Sequence, residues 1–140
     1  MNALPFRITQ PPASAAEIQE LLAAVGPLPS EYLNLLAASN GAELGIHDRD
    51  GDCLALWSVR DVLELNDAYE ISKWLPALLA IGSDGGDDAI GFLRKNGSDP
   101  NIWPLVRVGF GALSFDETKV IAQTFAAWKS SDYSINAEGS

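Results

Sequence analysis

The chain has 140 residues, of which 47% are hydrophobic and 20% charged, a composition typical of one globular domain rather than a disordered tail or a fibre. No apolar run approaches the ~18 residues of a membrane span, and residues 1–10 contain no apolar core of a secretory signal. The formal net charge of −10 argues against nucleic acid and anionic membrane surfaces as partners, because both attract basic proteins. The single cysteine, Cys53, excludes an internal disulfide and favours a reducing cytoplasm.

The acidic excess lies in the first two-thirds of the chain. Residues 1–93 carry four basic and fourteen acidic side chains, whereas residues 94–140 carry five of each. The acidic residues concentrate in Glu43–Asp52, Asp61–Glu70 and Asp84–Asp88. Such clusters either keep a protein soluble or attract a basic partner, and composition alone does not choose between these interpretations.

Two helices are predicted after an extended N-terminal segment, residues 1–13. Ser14 and Glu17 form the pattern of a capping box, and apolar residues follow at helical spacing until Gly26-Pro27 ends the helix. Leu28-Pro29 opens a second helix, which we expect to end at Asn40-Gly41 because both residues tolerate a left-handed backbone.

The middle of the chain predicts a β-hairpin followed by a third helix. Residues 42–46 and 53–57 flank the polar turn 47–52, and Ser58 is a helix N-cap with Asp61 three residues later. Trp57 is placed to pack on Val62 as a hydrophobic staple. We expect five residues of this helix to face inward: Val59, Val62, Leu65, Asn66 and Tyr69.

The last third predicts strands at 78–82, 89–93 and 103–108, with a further short strand at 110–115 as one interpretation. Asp116 is predicted to cap a final helix, with Phe115 and Val120 forming a second staple, and residues 130–140 are expected to fray. The order ααββαβββα indicates a single α+β domain over residues 14–129, with helices packed on a mostly antiparallel sheet.

Metal and catalytic patterns are incomplete. Asp48-x-Asp50-Gly51-Asp52 starts like a calcium loop, but Cys53 and Val59 stand where an EF-hand needs glycine and glutamate. His47 and Cys53 lack a third group to orient the base, and together they are too few ligands for a zinc site. The sequence therefore predicts no metal, no cofactor and no enzyme.

The four tryptophans are assigned by their positions. We expect Trp57, Trp74 and Trp128 to be packed, whereas Trp103 precedes a proline at a candidate strand edge or start. Trp103 is therefore the candidate anchor for a partner.

Residues in one consistent order resemble the SUKH superfamily, which includes the yeast cell-wall-assembly regulator and many bacterial immunity proteins. The similarity spans about residues 16–128. The matching positions are Ile18, Leu21-Leu22, Leu28-Pro29, Tyr32, Leu36, Asn40-Gly41, Leu56-Trp57, Asn66, Tyr69, Ile81–Gly86, Ile121-Ala122 and Phe125.

The resemblance implies an α+β fold with no catalytic residues to transfer. It also implies a cytoplasmic immunity protein, monomer or weak dimer, that binds a cognate toxin domain such as a nuclease or deaminase. We expect that toxin to be basic and to contact acidic loops of this chain, with Trp103 as an anchor. The expected contact residues are Glu43, Asp48, Asp50, Asp52, Asp84, Asp87, Asp88 and Trp103. The alternatives are a regulatory interaction module of the yeast-regulator type and a small thiol or metal enzyme.

Overall fold

The structure is a computed structural model that describes residues 8–45, 53–95 and 98–135. The helices are α1 (Ala15–Val25), α2 (Ser30–Ala38), α3 (Val59–Ala68), α4 (Ile71–Trp74) and α5 (Phe125–Ser130). The strands are β1 (Ile8–Thr9), β2 (Ala42–Gly45), β3 (Cys53–Leu56), β4 (Leu78–Ser83), β5 (Asp88–Leu93), β6 (Leu105–Gly109) and β7 (Lys119–Ala122). Two short 3₁₀ turns cover Pro100–Ile102 and Phe115–Glu117.

The seven strands form one sheet in which spatial order equals chain order, and every neighbouring pair is antiparallel. The predicted α+β class and mostly antiparallel sheet are confirmed. The predicted edge position of Trp103 is not, because β6 lies between β5 and β7. Pro104 instead precedes the strand, where its missing N–H costs no ladder bond.

Two apolar clusters lie on the two faces of the sheet. The larger contains residues of α1, α2, α3 and α5 together with inward residues of most strands. The smaller is covered mainly by α4 and the turns around residues 75–77 and 110–113. One face is thus covered by several helices, whereas the opposite face has a thin cover.

The predicted helix starts are confirmed where they depend on neighbouring residues. Ser14 Oγ accepts from the Glu17 N–H at 3.1 Å, and Glu17 Oε1 accepts from the Ser14 N–H at 2.9 Å, completing the capping box. Ser58 Oγ accepts from the Asp61 N–H at 3.1 Å.

The predicted C-terminal helix start is wrong. Val120 packs in the smaller cluster and Ile121 in the larger, which is the alternation of a strand, and β7 pairs with β6. Residues Phe115–Glu117 form a 3₁₀ turn, and the helix begins only after Thr124, whose Oγ1 accepts from the Ala127 N–H at 3.0 Å. The alternative strand at 110–115 is also wrong, since these residues form turns.

The two ends of the described chain are joined to the rest of the domain. Ile8 and Thr9 form β1, which is exposed and pairs with β2. In the C-terminal tail, Tyr133 and Ile135 are buried, and Trp128 Nε1 donates to the Ser134 carbonyl at 2.9 Å. Tyr133 and Ile135 are therefore part of the core, so the chain does not fray at residues 130–135; residues 136–140 lie outside the described part.

Candidate protein-binding surface

The sequence-predicted contact residues are dispersed over the surface. Asp48, Asp50 and Asp52 lie outside the described residues, as does the calcium-like turn that contains them. Glu43 is exposed on β2, near the edge of the sheet. Among residues 8–45, 53–95 and 98–135, no group of three or more His, Cys, Asp or Glu side chains is placed to hold a metal ion.

Asp84 and Asp88 form an ion-pair network with Arg107. Arg107 Nε donates to Asp88 Oδ2 at 2.7 Å, and its Nη2 donates to Asp84 Oδ2 at 2.8 Å. Arg107 Nη1 donates to the Ile135 carbonyl at 3.0 Å, which fastens the C-terminal segment to the same site. Asp84 Oδ1 also accepts from the Gly86 N–H at 2.8 Å.

Through these contacts, Asp84 and Asp88 stabilise the fold. A partner would have to compete with Arg107 for both carboxylates, since charge-assisted bonds of this length are among the stronger protein hydrogen bonds. Asp87, between them, is exposed. Of the predicted contact residues in this loop, Asp87 therefore presents the most accessible carboxylate.

Three carboxylates, those of Glu17, Glu43 and Asp61, line a cleft of about 580 Å³, here called the carboxylate cleft. Asn40 forms one side: its Oδ1 accepts from the Val59 N–H at 2.9 Å, and its Nδ2 donates to Glu17 Oε2 at 3.3 Å. The side chain of Asn40 thus joins the first turns of α1 and α3. No lysine or arginine lines the cleft among the described residues.

The pKa of Glu17 lies below its ordinary value, chiefly because the Ser14 backbone N–H donates to its carboxylate. The Ser14 hydroxyl and the Asn40 amide lower it further. Glu17 therefore carries its negative charge at neutral pH as part of the helix cap, and it adds to the negative field of the cleft.

Trp103 is a core residue rather than an exposed anchor. Only 7% of its surface is exposed, its Nε1 donates to Ser98 Oγ at 3.0 Å, and its ring lies 6.3 Å from that of Phe92. Trp103 also lines a cleft of about 660 Å³, together with Arg94.

Arg94 is held by backbone oxygens. Its guanidinium donates to the carbonyls of Pro76, Ala77 and Leu78, and burial lowers the pKa of Arg94.

An exposed aromatic surface was missed by the sequence analysis. Trp74 is 59% exposed and Tyr69 45% exposed, and both line a groove of about 450 Å³ with Phe110 and Leu113. We call this the aromatic groove. Phe115, 66% exposed, follows the groove residue Ser114 in the chain.

From the sequence, Trp74, Tyr69 and Phe115 were expected to be packed; the structure contradicts this, because all three are exposed. Tyr69 continues the inward spacing of α3, but α3 ends at Ala68 and Glu70 adopts a left-handed backbone with φ 53°. This turns the chain into α4, whose buried residue is Ile71 and whose last residue, Trp74, is exposed. The available sequence signal was the closeness of the aromatic residues Tyr69 and Trp74 in the chain. The helix α4 near them has only four residues and is too short to bury more than one side.

The described surface thus has three separate features: an acidic cleft, an acidic loop held by Arg107 and an aromatic groove. No described helix has the length and apolarity that crossing a bilayer requires. The model of the SMI1 / KNR4 family (SUKH-1) matches residues 12–131. Among curated proteins, none matches the chain. Because the family match covers well over half of the 140 residues, the chain belongs to the SMI1 / KNR4 family (SUKH-1).

Proposed function

We propose that this protein is a cytoplasmic immunity protein that neutralises a cognate bacterial toxin by stoichiometric binding. The observation that carries the proposal is the family match over residues 12–131, since the resemblance to SUKH immunity proteins implies binding and transfers no catalytic residues. The toxin is expected to be basic, as an enzyme acting on nucleic acid is.

The distribution of charge supports the same function. The chain has a net charge of −10, and the carboxylate cleft carries three acidic side chains without a basic residue among its described lining. A basic toxin would be drawn to this field before contact, which raises association rates by factors of ~10–10³ at low salt. The acidic protein would also compete with nucleic acid for the toxin's basic face.

The test is protection of cells by co-expression. The product of the gene adjacent to this chain's gene is tested as the toxin: it is expressed with and without the full chain, and the cells that express it are expected to survive only when the chain is present. A purified, catalytically inactivated toxin is expected to form a 1:1 complex with the full chain, as measured by native mass spectrometry. Death of the co-expressing cells together with no complex would contradict the proposal.

A charge variant tests the electrostatic part separately. Glu43→Lys changes an exposed carboxylate of the cleft, and Glu20→Lys makes the same change on α1 outside the cleft lining. We expect Glu43→Lys to lower the association rate more than its control, and we expect added salt to remove the difference. Equal effects of both variants would refute a local role of the cleft.

The second candidate is a regulatory interaction module of the cell-wall-assembly-regulator type. The same family match supports it, since that regulator belongs to the superfamily the sequence resembles. Affinity purification of the full chain from its native cells discriminates the two. Recovery of a housekeeping complex, without any toxin, favours the regulatory module.

A further inference from the structure

Two of the rings that line the aromatic groove are held in position by stacking. The rings of Tyr69 and Phe110 stack with centroids 4.2 Å apart and an interplanar angle of 22°. Trp57 continues the row, its ring 6.3 Å from that of Phe110 and inclined by 14°. Trp57 and Phe110 also pack on the smaller apolar cluster, so the row is anchored in the core.

Trp74 lines the same groove. It belongs to α4, which is fixed to the sheet through the fully buried Ile71. Exposed apolar patches of this kind mark interaction sites, and tryptophan and tyrosine are enriched among the residues that dominate binding energy. Because the rings of Tyr69 and Phe110 are already stacked, a partner that covers them incurs little further loss of their side-chain entropy.

Charges around the groove indicate the chemistry of its occupant. Glu117 lines the groove, Glu70 follows Tyr69, and Asp67 and Asp116 are exposed nearby in the chain. Two exposed basic residues lie near these acids in the chain, Lys73 and Lys119, so the acidic side chains remain in excess. Lys73 Nζ lies 5.1 Å from the centre of the Trp74 ring and 3.3 Å from Glu70 Oε2. A cation thus already lies between the Trp74 ring and the Glu70 carboxylate, beside the groove that Trp74 lines.

The Lys73 contacts are easily exchanged for those of a partner. Both side chains of the Lys73–Glu70 pair are more than half exposed, and such pairs contribute little in water. An arginine or lysine from a partner reaching the same ring would be partly desolvated by the flanking apolar contacts, where a cation–π contact is stronger.

We propose that the aromatic groove is the principal docking site for the protein partner, and that it takes a basic segment whose arginine or lysine, flanked by apolar side chains, stacks on Trp74. This inference rests on the proposed function, because the partner is then the cognate toxin. The carboxylate cleft acts at a distance by attraction, whereas the groove supplies the contacts that hold the complex together.

The first experiment compares Trp74→Ala and Tyr69→Ala with Ile102→Ala in binding to the inactivated toxin. Ile102 is a matched control, since it is 60% exposed but lies in the 3₁₀ turn before β6. We expect the dissociation constant to rise at least about 30-fold for Trp74→Ala and less than about threefold for the control. Equal, small effects of all three variants overturn the inference.

The second experiment determines the sign of the occupant's charge. Glu117→Lys is expected to weaken binding about tenfold or more, whereas Lys73→Gln leaves it unchanged or tightens it, because the partner's cation no longer competes with Lys73. If Lys73→Gln weakens binding as strongly as Trp74→Ala, the occupant is acidic and the proposal is wrong.

A third measurement uses the wild-type chain, and only the conservative variant Trp74→Phe is needed to identify the source of the signal. Trp103 and Trp128 are buried and Trp57 is half-buried, which leaves Trp74 as the main target of acrylamide quenching. We expect the complex to protect the quenchable fluorescence, with Trp74→Phe identifying its source. Unchanged quenching in the complex contradicts the inference.

These outcomes separate the inference from the function on which it rests. If wild type neither protects cells nor binds the toxin, the proposed function fails. If wild type binds and the groove variants bind equally well, only the docking site fails. Dimerisation of the chain that Trp74→Ala abolishes, with toxin binding retained, would show that a second copy occupies the groove and would overturn the proposal.

Discussion

Replacing Tyr32 with phenylalanine is expected to stabilise the protein. Tyr32 is buried, its ring packs at 5.3 Å from Phe92 and 5.9 Å from Phe125, and its hydroxyl has no hydrogen-bond partner among the described residues. A buried polar group without a partner costs about 1–3 kcal/mol. Because phenylalanine keeps the ring contacts, we expect a gain of about 1 kcal/mol in the free energy of unfolding, or roughly 3 °C in Tm.

The same substitution should change the response to alkali. Burial raises the pKa of Tyr32, and burial with the nearby charges of Glu31 and Asp132 raises the pKa of Tyr133 to about 12. In the unfolded chain a tyrosine titrates near pH 10, so above about pH 10 the unfolded state releases protons that the folded state retains. The stability due to each neutral, buried tyrosine is therefore complete below about pH 10 and is lost as the pH rises towards the folded value.

Tyr32→Phe removes one of these two contributions. We expect its advantage over wild type to grow by about 1.4 kcal/mol between pH 9 and pH 11. Urea unfolding at several pH values, followed by circular dichroism, measures both effects. Tyr69→Phe is the control, because Tyr69 is exposed and should change stability by less than about 0.5 kcal/mol. A loss of 1 kcal/mol or more in Tyr32→Phe at neutral pH would refute the reasoning, since the hydroxyl would then have a stabilising partner.

Substitutions at Asn66, Gly91 and Arg107, each with a comparison variant, test contacts that hold the fold, and all are measured by denaturant unfolding. Asn66→Ala should cost about 2–4 kcal/mol, because the Asn66 amide pairs with both the N–H and the carbonyl of Ala80; Asn66→Asp, which keeps only the acceptor, should cost nearly as much. Gly91→Ala should cost about 2–4 kcal/mol, since a Cβ there meets a backbone oxygen of β4, whereas Gly111→Ala, with open space around it, should be neutral. Arg107→Met should cost about 2 kcal/mol by leaving two adjacent, partly buried carboxylates unpaired, and Arg107→Lys about half of that. A neutral result for Asn66→Ala, Gly91→Ala or Arg107→Met would contradict the contact that the substitution tests.

Features of the fold that depend on neighbouring residues were predictable from the sequence. The capping box of Ser14 and Glu17 and the cap at Ser58 involve residues three positions apart, so residue type and spacing contain all the information needed. The hairpins were recognised for the same reason. The C-terminal error also arose locally, because the adjacent apolar residues Val120 and Ile121 fit a helix as well as a strand that is covered on both faces.

Features that depend on distant residues were not predictable. Asn101 Oδ1 accepts from the Ser30 N–H at 2.8 Å and so caps α2, whose own N-cap residue, Pro29, has no side-chain hydrogen bond; the two residues are 71 positions apart. Asn66 replaces a missing strand neighbour, since β3 ends at Leu56 and leaves Ala80 without a partner on that side. No local pattern indicates either contact.

The candidate site divides in the same way, because charge is a property of composition whereas the aromatic groove is a property of tertiary structure. The field of a chain with net charge −10 extends over roughly the Debye length of ~8 Å at physiological salt, so it attracts a basic partner without determining which face the partner contacts. The pairing of Asp84 and Asp88 with a single Arg107 illustrates the difficulty, since two residues of this acidic loop make contacts that stabilise the fold. Trp74 and Tyr69 act only on contact, and their removal should accelerate dissociation, whereas removal of free carboxylates should slow association. Kinetics, rather than affinity alone, therefore separates the surface that attracts a partner from the surface that retains it.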